Sequence, residues 1–327
     1  MNVDALRRLA ALFLLSAATA LPAAEIREWT VPWPDTRPRD PSVGRDGRVW
    51  FVGQTGNYLA VFDPAKASFQ RFDLPEGTAP HTVVVAPDGS PWVAGNGNGT
   101  LLRYDAAGKL LETHRVPTDA VARPDPHTLA MDGRGGFWFT MQQGNAIGHF
   151  AFAGGEIRIA AVPTAQARPY GIVATPDGDA WAVLFGVGKL ARVDRADMRL
   201  REIDLPRTLA RPRRLSLDDD GRVWYVDFAQ GYLGAHAPAD GSTREWKAPS
   251  TMSGPYAMAR VAPGRHCFFE TMPQPNLLQC FDAGGERFDA PLPVPGGGRA
   301  VRHAEFDPTR NQLWFGTDAN TLGVVRF

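Results

Sequence analysis

The chain carries no net charge and almost no cysteine. Its 327 residues include 35 basic and 35 acidic side chains, so it lacks the basic surface that nucleic acids or anionic membranes attract. Two cysteines are too few for a fold built on disulfides. No stretch beyond the N-terminus shows a sustained helical period. We therefore expect a globular, strand-rich protein, without nucleic-acid partners and without a membrane span.

The only long apolar run lies at the N-terminus. Two arginines precede an apolar stretch at 9–20, and small residues follow it. This pattern is typical of a secretory signal peptide, and the stretch is too short for a permanent membrane span. We expect cleavage between Ala20 and Ala24. Residues 1–24 are then the signal peptide, residues 25–327 form a single domain, and the mature protein is exported to the periplasm or the medium.

The chain contains 34 glycines and 28 prolines, and many of them lie at the turns of a repeated sequence unit. Its period runs from 42 residues (Trp50 to Trp92) to 47 residues (Cys267 to Trp314). Each unit contains an apolar strand, an Asp-Gly type turn, a strand with a central Trp, a Gly/Asn loop, a third strand and a fourth that ends in Pro. Asp-Gly between apolar runs is a strong hairpin signal. A period near these values is typical of four-stranded propeller blades, in which the Trp fills the gap between blades.

The fourth-strand element occurs once too early. Its first copy, at 26–32, precedes any Trp strand, and the last repeat ends at Phe327 without a fourth strand. If the first copy completes the last blade, the ring closes and no sheet edge stays open. We therefore predict an all-β fold, a seven-bladed β-propeller of four-stranded antiparallel blades closed by the N-terminal strand.

The two cysteines fall in the second and third strands of the sixth repeat. A hairpin that turns near Pro273 would place Cys267 opposite Cys280, and an exported location permits a bond between them. The alternatives are a disulfide or two buried free thiols, and we favour the disulfide.

A large polar or ring side chain stands eleven residues before the central residue of each second strand. These residues are Arg39, His81, His127, Tyr170, Arg213, Tyr256 and His303, and the matching central residues are Trp50, Trp92, Trp138, Trp181, Trp224, Cys267 and Trp314. A propeller gathers equivalent positions around one axis. We therefore expect the seven residues to form a ring that binds substrate.

The loop after each second strand shares this face, because alternate connections of a meander fall on opposite sides. Three of these loops carry the carboxylates Asp227, Glu270 and Asp318. One sector thus combines His303 with carboxylates, the composition that a divalent cation beside a proton-transfer group needs. We expect Asp227 to contact substrate as well.

Glu305 stands in a row that is otherwise apolar: Pro41, Val83, Leu129, Ile172, Leu215 and Met258. A carboxylate there must find a cation or a donor, or raise its pKa and stay neutral. Glu305 lies two residues beyond His303 on the same strand. It either serves a site or pairs with a nearby arginine such as Arg302.

The amino-acid sequence of the repeat resembles that of the streptogramin (virginiamycin B) lyase family. The segments that carry the resemblance are Arg168-Pro169-Tyr170-Gly171-Ile172, Phe137-Trp138-Phe139-Thr140 and Asn145-Ala146-Ile147-Gly148. Members of that family open a cyclic depsipeptide by eliminating across an ester C–O bond, without water. A last-blade histidine transfers the proton, and glutamates bind Mg²⁺, which stabilises the enolate.

The resemblance implies a role for His303 as the catalytic histidine. One family glutamate matches Asp318, a shorter carboxylate, and another matches Val301, which cannot bind a cation. The first-blade tyrosine of the family matches Arg39, and its sixth-blade histidine matches Tyr256. Glu305 or Glu270 could complete a cation site.

Three functions follow from these observations. The first is a metal-assisted C–O lyase that opens a cyclic ester or lactone, with His303 as acid/base and Asp318, Glu270 and Glu305 near Mg²⁺. The second is a non-catalytic periplasmic propeller that binds a small ligand or acts as a scaffold. The third is a calcium-dependent lactone hydrolase similar to the gluconolactonase family. We favour the lyase and expect a monomer with a small-molecule ligand.

Overall fold

The structure is a computed structural model that describes residues 24–327. The predicted signal peptide and its cleavage site lie outside the described residues, apart from Ala24. The described chain consists of strands, turns and loops, and none of it forms a helix with the length and hydropathy of a membrane span.

Seven antiparallel sheets follow one another along the chain. Blades 1 to 3 comprise β2 (Pro38–Val43), β3 (Val49–Gly53), β4 (Tyr58–Asp63) and β5 (Ser68–Asp73); β6 (Pro80–Val85), β7 (Pro91–Gly95), β8 (Thr100–Tyr104) and β9 (Leu110–Arg115); and β10 (Pro126–Met131), β11 (Gly136–Met141), β12 (Ala146–Ala151) and β13 (Ile157–Ala161). Blades 4 and 5 comprise β14 (Pro169–Ala174), β15 (Ala180–Leu184), β16 (Lys189–Val193) and β17 (Leu200–Asp204); and β18 (Pro212–Leu217), β19 (Val223–Asp227), β20 (Tyr232–His236) and β21 (Thr243–Lys247).

The last two blades depart from the simple order. Blade 6 comprises β22 (Pro255–Ala262), β23 (Arg265–Glu270), β24 (Leu277–Asp282) and two short outer strands, β25 (Arg287–Phe288) and β26 (Leu292–Pro293), which both pair with β24. Blade 7 comprises β27 (Val301–Asp307), β28 (Gln312–Thr317) and β29 (Thr321–Arg326), and its outer strand is β1 (Glu25–Thr30).

The ring closes as predicted. Strand β1 pairs with β29 along its whole length, from Glu25 opposite Arg326 to Thr30 opposite Thr321. The first strand of each blade contacts the first strand of the next, and β27 contacts β2. The predicted seven-bladed propeller with an N-terminal closing strand is therefore confirmed.

The core lies between neighbouring blades. The central tryptophans of the second strands are buried, and Trp50, Trp138, Trp224 and Trp314 are almost inaccessible to solvent. Each packs with apolar residues of the adjacent sheet, which is the structural role predicted for them. Cys267 lies opposite Cys280 on β23 and β24, and the two form the predicted disulfide.

Candidate functional site

A β-bulge follows the start of the first strand in every blade. In blade 2, for example, Pro80 faces Gly95 and Val83 faces Val93, so two residues of β6 stand against one of β7. A bulge bends the strand and re-aims its side chains. It directs the predicted ring residues towards the axis at one end of the propeller, which we call the ring face.

Four ring residues pack against one another there. The rings of His81 and His127 lie 3.3 Å apart between centroids, and those of His127 and Tyr170 lie 4.3 Å apart. The Tyr170 hydroxyl is hydrogen-bonded to the Tyr256 hydroxyl, across 86 residues of sequence. The predicted convergence of these residues is confirmed, while their role in binding substrate stays a prediction.

Two arginines complete this part of the ring. The Arg213 guanidinium lies over Phe185 at 3.6 Å, over Tyr256 at 4.8 Å and over Tyr170 at 5.2 Å. Arg39 is only 6% exposed and donates from Nη1 to Gln54 Oε1 at 2.8 Å. The ring face is therefore lined by aromatic rings and guanidinium groups.

In blade 7 the ring position belongs to Arg302, not to His303. In blade 2 the ring residue His81 lies three residues before Val84, which pairs with the central Trp92. In blade 7 the residue that pairs with the central Trp314 is Glu305. Three residues before Glu305 is Arg302. The prediction that His303 is the seventh equivalent position was wrong, because the β27–β28 turn is one residue longer than the others and a constant spacing from Trp314 miscounts the register.

The pKa values of Tyr170 and Tyr256 are shifted in opposite directions. Burial, and then the neighbouring Tyr256, raises the pKa of Tyr170 to about 12. Burial also opposes ionisation of Tyr256, but Arg213, Arg39 and Arg302 outweigh it and lower the pKa of Tyr256 below its usual value. Tyr256 is thus the phenol of the ring face that is most easily converted to a base.

An ion pair on the axis lies directly beneath the ring. Arg214 donates to Asp40 Oδ2 at 3.1 Å, to Thr128 Oγ1 at 3.0 Å and to the Arg302 carbonyl at 3.0 Å. The Thr82 hydroxyl donates to Asp40 Oδ2 at 2.8 Å. These contacts join blades 1, 2, 3, 5 and 7. They were not predicted from the sequence, although a buried strand that carries a charged residue next to the ring position was a usable signal.

His303 lies at this level, one position further along the strand than the ring. Its Nδ1 is buried and has no hydrogen-bond partner within residues 24–327. Burial is the largest cause that lowers the pKa of His303 to about 4, against the opposing effect of Asp40. The imidazole is therefore neutral at pH 7, the form that accepts a proton.

The carboxylates predicted to bind metal are already engaged. Asp318 accepts from Arg302 Nη2 at 2.6 Å and lies 3.9 Å from Arg37 Nε. Glu270 is fully buried, with its carboxylate bound to the Ser250 hydroxyl and backbone N–H. Both lie at the ends of their second strands, as predicted, but each has a partner of its own.

Asp227 lies at the end of β19, and its predicted contact with substrate stays a prediction. Its side chain is fully buried, and Oδ1 accepts backbone N–H groups from Arg211 at 2.8 Å and Ala229 at 3.1 Å. These bonds hold the loop through Oδ1, while Oδ2 is buried and has no hydrogen-bond partner among residues 24–327.

Glu305 lies in the lower half of the channel. Its Oε1 accepts from Val43 N at 2.9 Å and from Ser42 Oγ at 3.4 Å, and it lines a cavity of about 470 Å³ together with His303. The corrected register places it in the row of Ser42, Val84, Ala130, Val173, Ser216 and Ala259, one position away from the row expected. Burial raises the pKa of Glu305 to about 7. The expected pairing with Arg302 does not occur, since Arg302 binds Asp318.

The three carboxylates do not fit a Mg²⁺ site as they are arranged. Within residues 24–327 no three His, Cys, Asp or Glu side chains form a group that could hold a metal ion. Mg²⁺ prefers several oxygen ligands at short distance. Here Asp318 is neutralised by an arginine, Glu270 is bound to a serine, and Glu305 faces the cavity below. Magnesium stays a prediction from the family resemblance.

A larger cavity, of about 640 Å³, opens at the other mouth of the channel. Three of its acidic side chains have basic partners: Asp132 lies 2.8 Å from His149, Asp218 lies 2.9 Å from Arg222, and Asp219 is paired with Arg260. We assign the candidate site to the ring face, because the aromatic and polar ring residues of several blades converge there.

Known proteins resemble the chain in sequence and in fold. The profile of the virginiamycin B lyase family matches residues 17–274. The virginiamycin B lyase of Nocardia farcinica (strain IFM 10152) is 34% identical over 152 residues, which cover 45% of this chain and 48% of that protein. The alignment thus spans about half the length of this curated relative.

Solved structures show the same fold. A streptogramin B lyase structure superposes with a TM-score of 0.83 at 19% identity, over 93% of this chain and 97% of the other. The virginiamycin B lyase of Staphylococcus aureus gives the same TM-score and identity over 93% and 99%. A catalytically inactive histidine-to-alanine variant of that enzyme has also been solved with quinupristin. By the family profile, which covers most of its length, the chain belongs to the virginiamycin B lyase family.

Proposed function

We propose that the protein is a carbon–oxygen lyase that opens an ester or lactone by elimination at the ring face. Membership of the virginiamycin B lyase family supports a lyase. The observation that carries the proposal is the position of Tyr256, whose hydroxyl is bonded to Tyr170 and whose ring lies 4.8 Å from the Arg213 guanidinium and 5.4 Å from that of Arg302. A potential base beside two cations is the arrangement that elimination next to a carbonyl requires.

In this reaction the base takes the proton from the carbon next to the substrate carbonyl. The C–H electron pair moves towards the carbonyl oxygen, and the guanidinium groups stabilise the negative charge that develops there. The electrons then return to form a C=C bond while the C–O bond breaks, and its electron pair leaves with the oxygen. No water and no oxidant are consumed.

Two residues are candidates for the base. The family resemblance implies His303, whose neutral imidazole can accept a proton. Its pKa of about 4, lowered by burial, makes it a weak base. The geometry favours Tyr256, because Arg213, Arg39 and Arg302 stabilise its phenolate. Replacing each separately, as Tyr256→Phe and His303→Gln, decides between them: loss of the base lowers kcat by about two to four orders of magnitude, typical of general acid–base catalysis.

The test is the mass of the product. The protein is incubated with a panel of cyclic and linear esters that carry an acidic C–H beside the carbonyl, quinupristin among them. Elimination that opens a ring yields an isomer of the substrate, whereas hydrolysis adds one water. A ring-opened isomer that disappears with the Tyr256 or His303 variant supports the proposal. Products that contain the added water would instead support the lactone hydrolase.

A binding function without catalysis remains the second candidate. It is favoured by one observation at the seventh ring position. This position holds Arg302, and its ion pair with Asp318 means that neither of these two side chains is free to act as an acid or a base. Failure of every ester in the panel to react, together with saturable binding of a ligand at the ring face, would select this function over the lyase.

We also propose that the protein is exported and acts as a monomer. The N-terminal sequence supports export, as argued above. Mass spectrometry of the protein from a periplasmic or culture fraction should find an N-terminus between Ala20 and Ala24, and sedimentation should give the mass of one chain. An intact N-terminus in the cytoplasm would contradict the first expectation, and a larger sedimenting species the second.

A further inference from the structure

We propose that the ring face binds an organic carboxylate, held between Arg213 and Arg302 above Tyr256. The biological role of this site rests on the proposed lyase function, in which the carboxylate belongs to the substrate. Binding itself can be measured without turnover.

The charges of the ring face do not balance. Four guanidinium groups, those of Arg39, Arg213, Arg214 and Arg302, meet around the ring and the axis, with Arg37 at the rim. The carboxylates among them are Asp40, which is bound to Arg214 at 3.1 Å, and Asp318, which is bound to Arg302 at 2.6 Å. The other acids at the ends of second strands, Asp227 and Glu270, are bound to backbone and serine groups. The site therefore has an excess of positive charge that an anion would neutralise.

Arg213 is the clearest sign of this excess. Its guanidinium lies over the rings of Phe185 at 3.6 Å, Phe228 at 4.8 Å and Tyr256 at 4.8 Å. Its Nε is buried without a hydrogen-bond partner among residues 24–327, and burial lowers the pKa of the guanidinium. A cation kept in an apolar setting is costly unless a counter-ion joins it. None of the described carboxylates does so.

Arg39 gives a second, independent indication. It is 6% exposed, and in the described part of the chain its Nε and Nη2 are buried without hydrogen-bond partners, while Nη1 donates to Gln54. Asp40 Oδ1 lies 3.7 Å from its Nε, too far for a hydrogen bond. Donors that stay unused inside a protein mark a place for a ligand oxygen or for ordered water.

The geometry selects a carboxylate with an apolar body. Arg213 and Arg302 both face the ring of Tyr256, and the Tyr256 hydroxyl lies 3.5 Å from Arg302 Nη1. Guanidinium groups bind planar, two-oxygen anions well. The surrounding walls are aromatic, Phe185, Phe228 and Tyr170, so the rest of the ligand should be apolar. If the carboxylate lies next to the C–H that is removed, the guanidinium groups would stabilise the charge that develops on its oxygens, which is the role proposed for them above.

The test is isothermal titration calorimetry of the full chain with benzoate, with benzamide as the neutral probe of equal shape, and with inorganic phosphate. We expect benzoate to bind at one site and benzamide at least ten-fold more weakly. Arg213→Gln should weaken benzoate at least ten-fold, which corresponds to about 1.4 kcal/mol. The matched control is Arg115→Gln, which removes an exposed arginine from outer strand β9 and should keep the affinity of the original chain.

Several outcomes would overturn the inference. Equal binding of benzoate and benzamide would mean that charge is not recognised, and phosphate binding as tight as benzoate would reject the carboxylate class. An equal loss in Arg115→Gln would mean unspecific attraction. If circular dichroism shows Arg213→Gln to be unfolded, Tyr256→Phe provides the second variant, and unchanged affinity there would refute the site. Arginine-dependent benzoate binding without ester opening would reject the lyase and keep this inference, and the reverse result would do the opposite.

Discussion

The buried carboxyl of Glu305 should make the stability of the protein depend on pH in a way that one substitution removes. Glu305 lines the cavity below the axis network, and its contacts to Val43 N and Ser42 Oγ do not compensate for burial. Burial raises its pKa from 4.5 to about 7. A shift of this size means that folding disfavours the ionised form by at most about 3 kcal/mol, less whatever cavity water screens.

The sign follows from proton linkage. Because the pKa is higher in the folded chain, the stability associated with the protonated form is complete below pH 4.5 and is lost as the pH rises through about 7. Glu305→Gln resembles the protonated form at every pH. We expect the variant to match the original chain near pH 4.5 and to exceed it by up to about 3 kcal/mol in the free energy of unfolding at about pH 9.

Urea unfolding at the two pH values measures this difference. Glu76→Gln, which removes an exposed carboxylate from the loop after blade 1, controls for the loss of one charge and should show no such change with pH. A Glu305→Gln variant no more stable than the original chain at the higher pH would refute the reasoning, because the ionised carboxylate would then have a partner that we have not identified.

Three further predictions concern stability. Asp40→Ala leaves Arg214 buried without its ion-pair partner and should lower the free energy of unfolding by about 3–5 kcal/mol, much of which Asp40→Ala/Arg214→Met should recover; urea unfolding that shows no loss would contradict this. Replacing both Cys267 and Cys280 by Ala should lower the free energy of unfolding by about 3 kcal/mol, because the short loop between them is no longer closed in the unfolded chain. Calorimetric melts of the variant and of the original chain check this value, and reducing conditions should remove the difference between the two. Mg²⁺ should leave the melting temperature unchanged because Asp318 is neutralised by an arginine, and an increase with Mg²⁺ that EDTA reverses would show that a metal site assembles after all.

The propeller could be predicted from the sequence because each blade repeats local signals. Asp-Gly turns, a central Trp and a proline after the fourth strand are set by short-range physics, and they recur regardless of what the site contains. The early fourth strand, seen as β1, even predicted how the ring closes.

The error in blade 7 shows where spacing fails. Register is defined by hydrogen-bonded pairs, and the β27–β28 turn adds one residue between Phe306 and Leu313 relative to Val85 and Pro91. Counting back from Trp314 therefore reached a neighbour of the true ring residue. One inserted residue in a turn was enough to move the predicted histidine off the ring.

The electrostatics of the site could not be read from the sequence. Whether Asp318 binds a metal or an arginine depends on the register of β27, which places Arg302 of the same blade beside it, whereas the axis ion pair joins residues of blades 1 and 5. Arg302 next to Asp318, and Arg214 next to Asp40, are contacts over 16 and 174 residues. Only the folded ring shows that the predicted cation site is surrounded by cations.

The most direct test of the central claim, that the ring face is an anion site, is a crystal structure of the protein soaked with benzoate. We predict density for the carboxylate within hydrogen-bond distance of both Arg213 and Arg302, with its ring against Phe185 or Phe228. Benzoate bound at the opposite mouth would contradict the account. So would a ring face that holds no benzoate and in which Asp318 no longer binds Arg302.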